Sequence, residues 1–194
     1  MNFLAHLFLA AEHDHCLAGA LLGDFVKGKL IDQYSQNWLA SIDFHRQIDR
    51  FTDRHPLVSA AKQQFQPPFR RYAGIIVDLM FDHFLVRDWH QYSPLPLTEF
   101  EQHCYQQLAT DSPQFPHNAQ RLTEHLLKHN LLTGYGNMAT VHRALNGVGN
   151  RLSRANPLGN TEAAIAIAYD QLDQHFQQFF PELVRACHQQ RLSS

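Results

Sequence analysis

Three ionisable side chains lie within the most apolar stretch of the sequence, residues 75–86. Asp78, Asp82 and His83 are surrounded there by aliphatic and aromatic residues on every side of a predicted helix, and such a helix belongs in a protein core. Burying a lone carboxylate costs more free energy than the net stability of a typical domain, so these groups need partners or a cation. Asp82 and His83, about 100° apart around the helix, can bind one metal from adjacent directions or divide into a ligand and its orienting residue.

The segment 43–55 carries a second set of potential ligands. His45, Asp49 and Asp53 recur there at four-residue steps, so on a helix they form one stripe over three turns. Such a stripe can line a cleft. Imidazole and carboxylate groups together are the ligands that hard and borderline divalent cations accept.

Both segments have a purely structural alternative. Asp78 and Asp82 can form buried ion pairs with Arg71 or Arg87. In the segment 43–55, acids and arginines alternate, which is typical of a solvated helix with salt bridges between residues i and i+4. Spacing alone does not choose between ion pairs and a metal site.

Two single residues are weaker candidates. Asp24 follows the run 17–22, whose small residues allow close helix packing, and a lone aspartate at a helix end usually makes local hydrogen bonds. His6 lies between Leu4 and Leu7 in an apolar segment, where a hydrogen-bonded core histidine is the simpler interpretation. Either residue becomes a ligand only if the fold brings it to the other two segments.

The elements that must position these residues are helices, because apolar residues recur with helical spacing and alternating strand patterns are missing. We expect an all-α fold, a helical bundle, with residues 1–194 forming a single domain. Proline and glycine mark most of the breaks between elements. The predicted helices are 2–12, 15–27, 36–52, 56–65, 69–90, 97–109, 114–131, 135–153 and 160–189.

Composition excludes several classes of protein. The net charge of −2 argues against a general nucleic-acid binder, which needs a basic excess to neutralise phosphates. The three cysteines are far apart and lack zinc-finger spacing, so we expect a reducing, cytoplasmic compartment. No apolar run reaches the roughly 18 residues of a membrane span, so we expect no membrane partner.

Taken together, the segments resemble the acyl carrier protein phosphodiesterases, a family related to the HD-type metal phosphohydrolases. The similarity runs from the N-terminus to about residue 90 and continues weakly beyond. Four blocks in the same order make this resemblance specific. They are Met1-Asn2-Phe3-Leu4-Ala5-His6-Leu7, Gly23-Asp24-Phe25-Val26-Lys27-Gly28, His45-Arg46-Gln47-Ile48-Asp49 with Thr52-Asp53, and Asp78-Leu79-Met80-Phe81-Asp82-His83-Phe84-Leu85.

The resemblance implies an HD-domain-like bundle that hydrolyses the phosphodiester joining 4'-phosphopantetheine to a serine of holo acyl carrier protein. It also implies Mn²⁺ as the cofactor, with Mg²⁺ as the alternative. The implied metal ligands are Asp24, His45, Asp82 and His83. The implied groups behind them, for orientation or proton transfer, are Asp49, Asp78 and His6. The sequence departs from the usual HD pattern, because its adjacent pair reads Asp82-His83 and comes last, which leaves the ligand set open.

The chemistry of such a reaction assigns further roles. His6 or a carboxylic acid can protonate the leaving serine oxygen, and Arg46 or Lys27 can hold the nonbridging phosphoryl oxygens. A small acidic carrier protein favours a basic surface near the cleft. The arginines available for that surface are Arg46, Arg50, Arg54, Arg70, Arg71, Arg143, Arg151 and Arg154.

Two other functions fit the same residues. An HD-type phosphohydrolase can act on a nucleotide or another small phosphoester, since fold-level analogy does not choose the substrate. A helical binding protein can use the buried aspartates and histidines as structural ion pairs, or to hold a cofactor such as haem. Bound metal separates this last class from the two enzymes.

Overall fold

The computed structural model describes residues 3–29, 34–189 and 192, and this part of the chain forms α-helices and short 3₁₀ turns with no β-strand. The expected all-α class is confirmed. The helices are α1 (Phe3–Glu12), α2 (Leu17–Leu22), α3 (Gln36–Arg54), α4 (Pro56–Gln63), α5 (Ala73–Arg87), α6 (Leu97–Asp111), α7 (His117–His129), α8 (Leu131–Gly134), α9 (Met138–Arg151) and α10 (Glu162–His188). Residues 1 and 2, which begin the first block of the family resemblance and include the start of the predicted helix 2–12, lie outside the described residues.

Two predicted helices differ most from those observed, and the local backbone explains both differences. The predicted helix 15–27 is too long, because the N–H groups of Phe25 and Val26 both donate to the Leu22 carbonyl and close α2 in a tight turn. The predicted helix 114–131 is divided. Asn130 adopts a left-handed conformation with φ of 45°, which ends α7 and starts the short helix α8.

Helices α1 and α5 form the centre of the fold. Seven successive residues of α1, Leu4 to Ala10, are buried, so this helix is covered on all sides. Helix α5 is likewise apolar around its circumference and packs against α1, α4, α9 and α10. The prediction that residues 75–86 enter the core is therefore confirmed. In the described ranges, no helix combines the length and apolar composition that crossing a membrane requires.

Helix α2 lies directly against α3 because two glycines face it. A Cβ on Gly19 would overlap the Ser41 side chain, and a Cβ on Gly23 would overlap the imidazole ring of His45. These glycines are one helical turn apart, so together they let the two backbones approach. This close packing brings Asp24, the residue after Gly23, beside His45.

Candidate metal centre

Three ligand-type side chains from two helices meet where α1 packs against α3. His6 comes from α1, and His45 and Asp49 come from successive turns of α3. The His6 Nε2 atom lies 3.2 Å from one Asp49 carboxylate oxygen, and the His45 Nε2 atom lies 3.1 Å from the other. Within the described residues, no other three His, Cys, Asp or Glu side chains place their ligand atoms within 4.8 Å of one another. We call these three residues the His6–His45–Asp49 cluster.

Backbone contacts orient His45 as a ligand would be oriented. Its Nδ1–H donates to the Ala20 carbonyl oxygen at 2.7 Å, which leaves the lone pair on Nε2. That atom faces Asp49 and, at 3.7 Å, the Asp24 carboxylate. Metal-binding histidines commonly donate their second N–H to a carbonyl or carboxylate in this way, because the bond fixes both the tautomer and the ring.

The ring nitrogens of the two histidines lie close to the carboxylates but are poorly aligned for hydrogen bonds. Both ring nitrogens of His6 and Nε2 of His45 are buried and have no aligned hydrogen-bond partner among the described residues. The two imidazoles are stacked, with centroids 3.7 Å apart, so their Nε2 atoms approach the Asp49 carboxylate from the same side. Buried polar atoms without aligned partners are rare and call for an explanation. A divalent cation that accepts imidazole and carboxylate ligands fits this donor set.

The charges in the cluster favour one positive charge between the histidines and the carboxylates. Burial lowers the pKa of His45, but the carboxylates of Asp24 and Asp49 outweigh burial and raise it to about 9. Burial and the neighbouring His45 lower the pKa of His6 to about 4. Burial alone would raise the pKa of Asp49, yet the two histidines hold it well below its usual range. The carboxylates therefore attract one positive charge, and the stacked rings do not accept two protons.

Asp82, a predicted ligand, points to a different place. It is fully buried, and its carboxylate accepts a hydrogen bond from the Leu4 N–H, at 3.2 Å, in the first turn of α1. Burial raises its pKa to about 7. A carboxylate at a helix N-terminus satisfies N–H groups that have no partner within the helix. The structure thus gives Asp82 a visible role in holding the start of the helix that carries His6.

His83, the other predicted ligand on α5, is engaged through both ring nitrogens. Its Nδ1 lies 2.8 Å from the Tyr135 carbonyl oxygen, and its Nε2 lies 2.9 Å from the Tyr169 hydroxyl. Successive residues on a helix point about 100° apart, so Asp82 reaches α1 while His83 reaches Tyr169 on α10. The structure consequently brings together Asp24 and His45 of the four predicted ligands, and adds His6 and Asp49, which were predicted behind them.

The remaining predicted residues of the segment 43–55 have other contacts. Arg46 donates to the backbone carbonyls of Val26 at 2.6 Å and Gly28 at 2.9 Å, so it holds the loop after Asp24. Lys27, in that loop, is exposed. Asp53, the third member of the predicted stripe, pairs instead with Lys62 at 3.1 Å and stays outside the cluster.

Arg87, one of the two arginines in the ion-pair alternative, has its ion-pair partners outside α5. Arg87 pairs with Asp88 and Asp173, at 2.6 Å each, rather than with an aspartate of α5. Asp78 is half-buried and, together with Asp24, lines a cavity of about 690 Å³. The cavity extends between α7 and α9. The sequence connected α9 with the site only through Arg143 and Arg151, as candidates for a basic surface near the cleft.

Sequence reasoning missed the features that place the ligands. The Ala20 carbonyl orients His45, and Gly23 makes room for its ring. The small residues of the run 17–22 were the available signal, because they indicate close helix packing. They do not indicate which helix packs there.

Comparisons with known proteins show the family of the chain. The family model described as acyl carrier protein phosphodiesterase matches residues 1–183. A relative named acyl carrier protein phosphodiesterase from Enterobacter sp. (strain 638) is 40% identical over 95% of this chain and 96% of its own. Another of the same name, from Klebsiella pneumoniae (strain 342), is 38% identical over 99% of this chain and 100% of its own. No solved structure matches the chain.

Proposed function

Because the chain belongs to the acyl carrier protein phosphodiesterase family, we propose that it cleaves 4'-phosphopantetheine from holo acyl carrier protein with the help of a divalent cation. Water adds to phosphorus, the bond from phosphorus to the serine oxygen breaks, and the products are 4'-phosphopantetheine and the apo carrier. The observation that carries the metal part of this proposal is the His6–His45–Asp49 cluster, with its buried ring nitrogens that lack aligned partners.

The residues that would hold the cation are His6, His45 and Asp49, with Asp24 beside them. Mn²⁺ is our first choice, since a set that mixes imidazole with carboxylate suits it better than Mg²⁺, which prefers oxygen ligands. Such an ion supplies Lewis acidity at the phosphoryl oxygens and a more acidic bound water. The Ala20 carbonyl and Gly23 keep the His45 ring in place for this task.

Other groups of the chain are placed to handle the substrate. Asp24 and Asp78 share the cavity wall beside the cluster, so their carboxyl groups are our candidates for exchanging protons with water and the leaving serine oxygen. Arg46 is committed to two backbone carbonyls, so we now assign it to holding the 26–28 loop. Exposed Lys27 in that loop remains the candidate for contact with the phosphodiester or the acidic carrier.

The reaction is testable with the intact mass of the carrier. Holo acyl carrier protein is incubated with the enzyme and Mn²⁺, Mg²⁺ or a chelator, and its mass is followed with time. We expect loss of the phosphopantetheine mass with Mn²⁺, slower loss with Mg²⁺ and none with the chelator. An unchanged carrier alongside hydrolysis of a nucleotide would overturn the substrate assignment and favour the small-phosphoester alternative.

Metal binding is tested separately from turnover. Mn²⁺ should raise the melting temperature of the wild-type protein, because a ligand that binds only the folded state stabilises it. The His45→Asn variant should lose that increase. Equal stabilisation of both proteins would remove the cluster as the metal site.

The free cysteines Cys16, Cys104 and Cys187 lead us to place the reaction in the reducing cytoplasm.

A further inference from the structure

The cavity beside the His6–His45–Asp49 cluster is lined mainly by α5, α7 and α9. Helix α9 packs against α5, whereas α7 packs against α6 and α8, and the space between α7 and α9 stays open. Its volume of about 690 Å³ lies within the range of small-molecule binding sites. Asp24, which lies 3.7 Å from His45 Nε2, also lines this space. Asp24 therefore adjoins both the cavity and the cluster.

One wall of the cavity is apolar and incompletely covered. Leu122 and Leu126 project from successive turns of α7, and Ala144 and Val148 do the same from α9. Of these four side chains, Leu126 alone is fully buried, and the other three are half-buried. Apolar stripes on two facing helices normally close on each other, because burial of apolar surface is favourable. Here they stand apart, which leaves an apolar slot.

Gly147 keeps the slot wide at its centre. A Cβ at this position would meet no atom within 4 Å, although Gly147 lies inside α9 and lines the cavity. Glycine in a helix interior destabilises the helix relative to alanine. No packing contact requires the glycine, so its visible consequence is the space that it leaves.

Arginine and histidine side chains flank that space. Arg143, Gly147 and Arg151 follow one another at four-residue steps on α9, and all three line the cavity. The exposed side chains of His125 and His129 line it from α7. A ligand for this cavity has a flexible, partly apolar body and several hydrogen-bond acceptors or negative charges.

We infer that this cavity binds the pantetheine arm of the substrate while the adjoining phosphodiester lies at the His6–His45–Asp49 cluster. The inference rests on the proposed function and adds a binding site to it. The methylene and dimethyl groups of the arm match the leucine, alanine and valine wall. Its hydroxyl and amide oxygens are acceptors for Arg143 and Arg151. Gly147 is then a specificity-determining position, since any larger side chain occupies the space of the arm.

The experiment fills the slot at Gly147 with side chains of two sizes. Gly147→Leu and Gly147→Trp are compared with Asn150→Trp, which adds the same bulk to an exposed position of α9 outside the cavity. Three quantities are measured with Mn²⁺ present: kcat/KM for holo acyl carrier protein, calorimetric binding of free 4'-phosphopantetheine, and hydrolysis of bis(4-nitrophenyl) phosphate, which has no arm. Melting curves verify that each variant is folded.

We expect Gly147→Trp to lower both kcat/KM for the carrier and affinity for 4'-phosphopantetheine by about tenfold or more, with a smaller loss for Gly147→Leu. Gly147→Leu and Gly147→Trp should hydrolyse bis(4-nitrophenyl) phosphate nearly as well as the wild type does. Unchanged carrier kinetics and 4'-phosphopantetheine binding in folded Gly147→Trp would overturn the inference while the proposed function stands. If the wild type leaves the holo carrier intact, the proposed function itself fails. Gly147→Leu decides the question should the tryptophan variant not fold.

Discussion

His45 and His83 make the same contact through Nδ1 and very different contacts through Nε2. Both are buried, and both place Nδ1 on a backbone carbonyl oxygen, at 2.7 Å from Ala20 and 2.8 Å from Tyr135 respectively. The His83 Nε2 atom then meets the Tyr169 hydroxyl in an ordinary hydrogen bond. The His45 Nε2 atom meets carboxylates without an aligned hydrogen bond. Burial and tautomer are thus shared, and the partner of Nε2 separates a packed histidine from a candidate ligand.

The charged groups around the two histidines also differ. Near His83, Arg87 neutralises Asp88 and Asp173, and Gln177 donates a further hydrogen bond to Asp173. In the His6–His45–Asp49 cluster, two histidines share one carboxylate, and Asp24 adds a second negative charge. A network whose groups are satisfied contributes to stability. The nitrogens of His6 and His45 that lack aligned partners need another explanation, which a bound ligand would supply.

The largest expected effect comes from replacing the two histidines separately by asparagine. We expect His45→Asn to lower turnover of the holo carrier by about 10³-fold, equivalent to about 4 kcal/mol of transition-state stabilisation. His83→Asn should unfold at lower denaturant concentration but keep most of its activity when folded. Steady-state kinetics and urea titrations measure both. Loss of activity in folded His83→Asn would restore it as a metal ligand, as its sequence position predicted.

A smaller loss of activity is expected from the glycine that touches His45. Gly23→Ala places a methyl group where the imidazole ring now lies, so the ring must shift. We expect turnover and Mn²⁺ affinity to fall by roughly 10- to 100-fold, as for other changes that misorient a metal ligand. Gly74→Ala is the matched control, because its Cβ would meet only the end of the flexible Lys62 side chain, at 3.7 Å. Equal activity of the two variants would contradict this role of Gly23.

A change of stability without a change of activity is expected at Tyr169. Tyr169→Phe removes the hydroxyl that hydrogen-bonds His83 Nε2 and leaves a buried nitrogen without that partner. We expect a loss of about 1–2 kcal/mol in the free energy of unfolding. Urea unfolding gives this value, and carrier turnover should stay within about twofold of wild type. A tenfold loss of turnover would connect the His83 region to catalysis.

The smallest expected effect is the pH dependence of stability that Arg87 causes. Hydrogen bonds from Arg87 hold the pKa values of Asp88 and Asp173 below their usual range. A depressed folded-state pKa stabilises the protein above the unfolded-state pKa, near 4, and this stabilisation is lost as the pH falls further. Arg87→Gln should therefore be less stable than wild type by about 1 kcal/mol at pH 6. The difference should shrink below pH 4; a constant difference would argue for lost packing instead.

Much of the fold and part of the site follow from the sequence. Helical spacing gave the all-α class, which the structure confirms, and the apolar surroundings of Asp78 and Asp82 predicted a buried α5. The family resemblance is confirmed by the match over residues 1–183. It correctly drew attention to the segments of Asp24 and His45, which do lie side by side. The ends of α2 and α7 were mispredicted, because they depend on single turns of backbone.

The composition of the candidate site was decided only by tertiary structure. Periodicity fixes the angle between Asp82 and His83 around α5, but not which neighbours those two directions meet. Because α1 and α10 pack against α5, Asp82 contacts the Leu4 N–H and His83 contacts the Tyr169 hydroxyl. In the same way, the packing of α1 and α2 against α3 brought His6 and Asp24 to His45 and Asp49. A sequence determines which faces of its helices carry ligands, and the contacts between helices determine which of those faces meet.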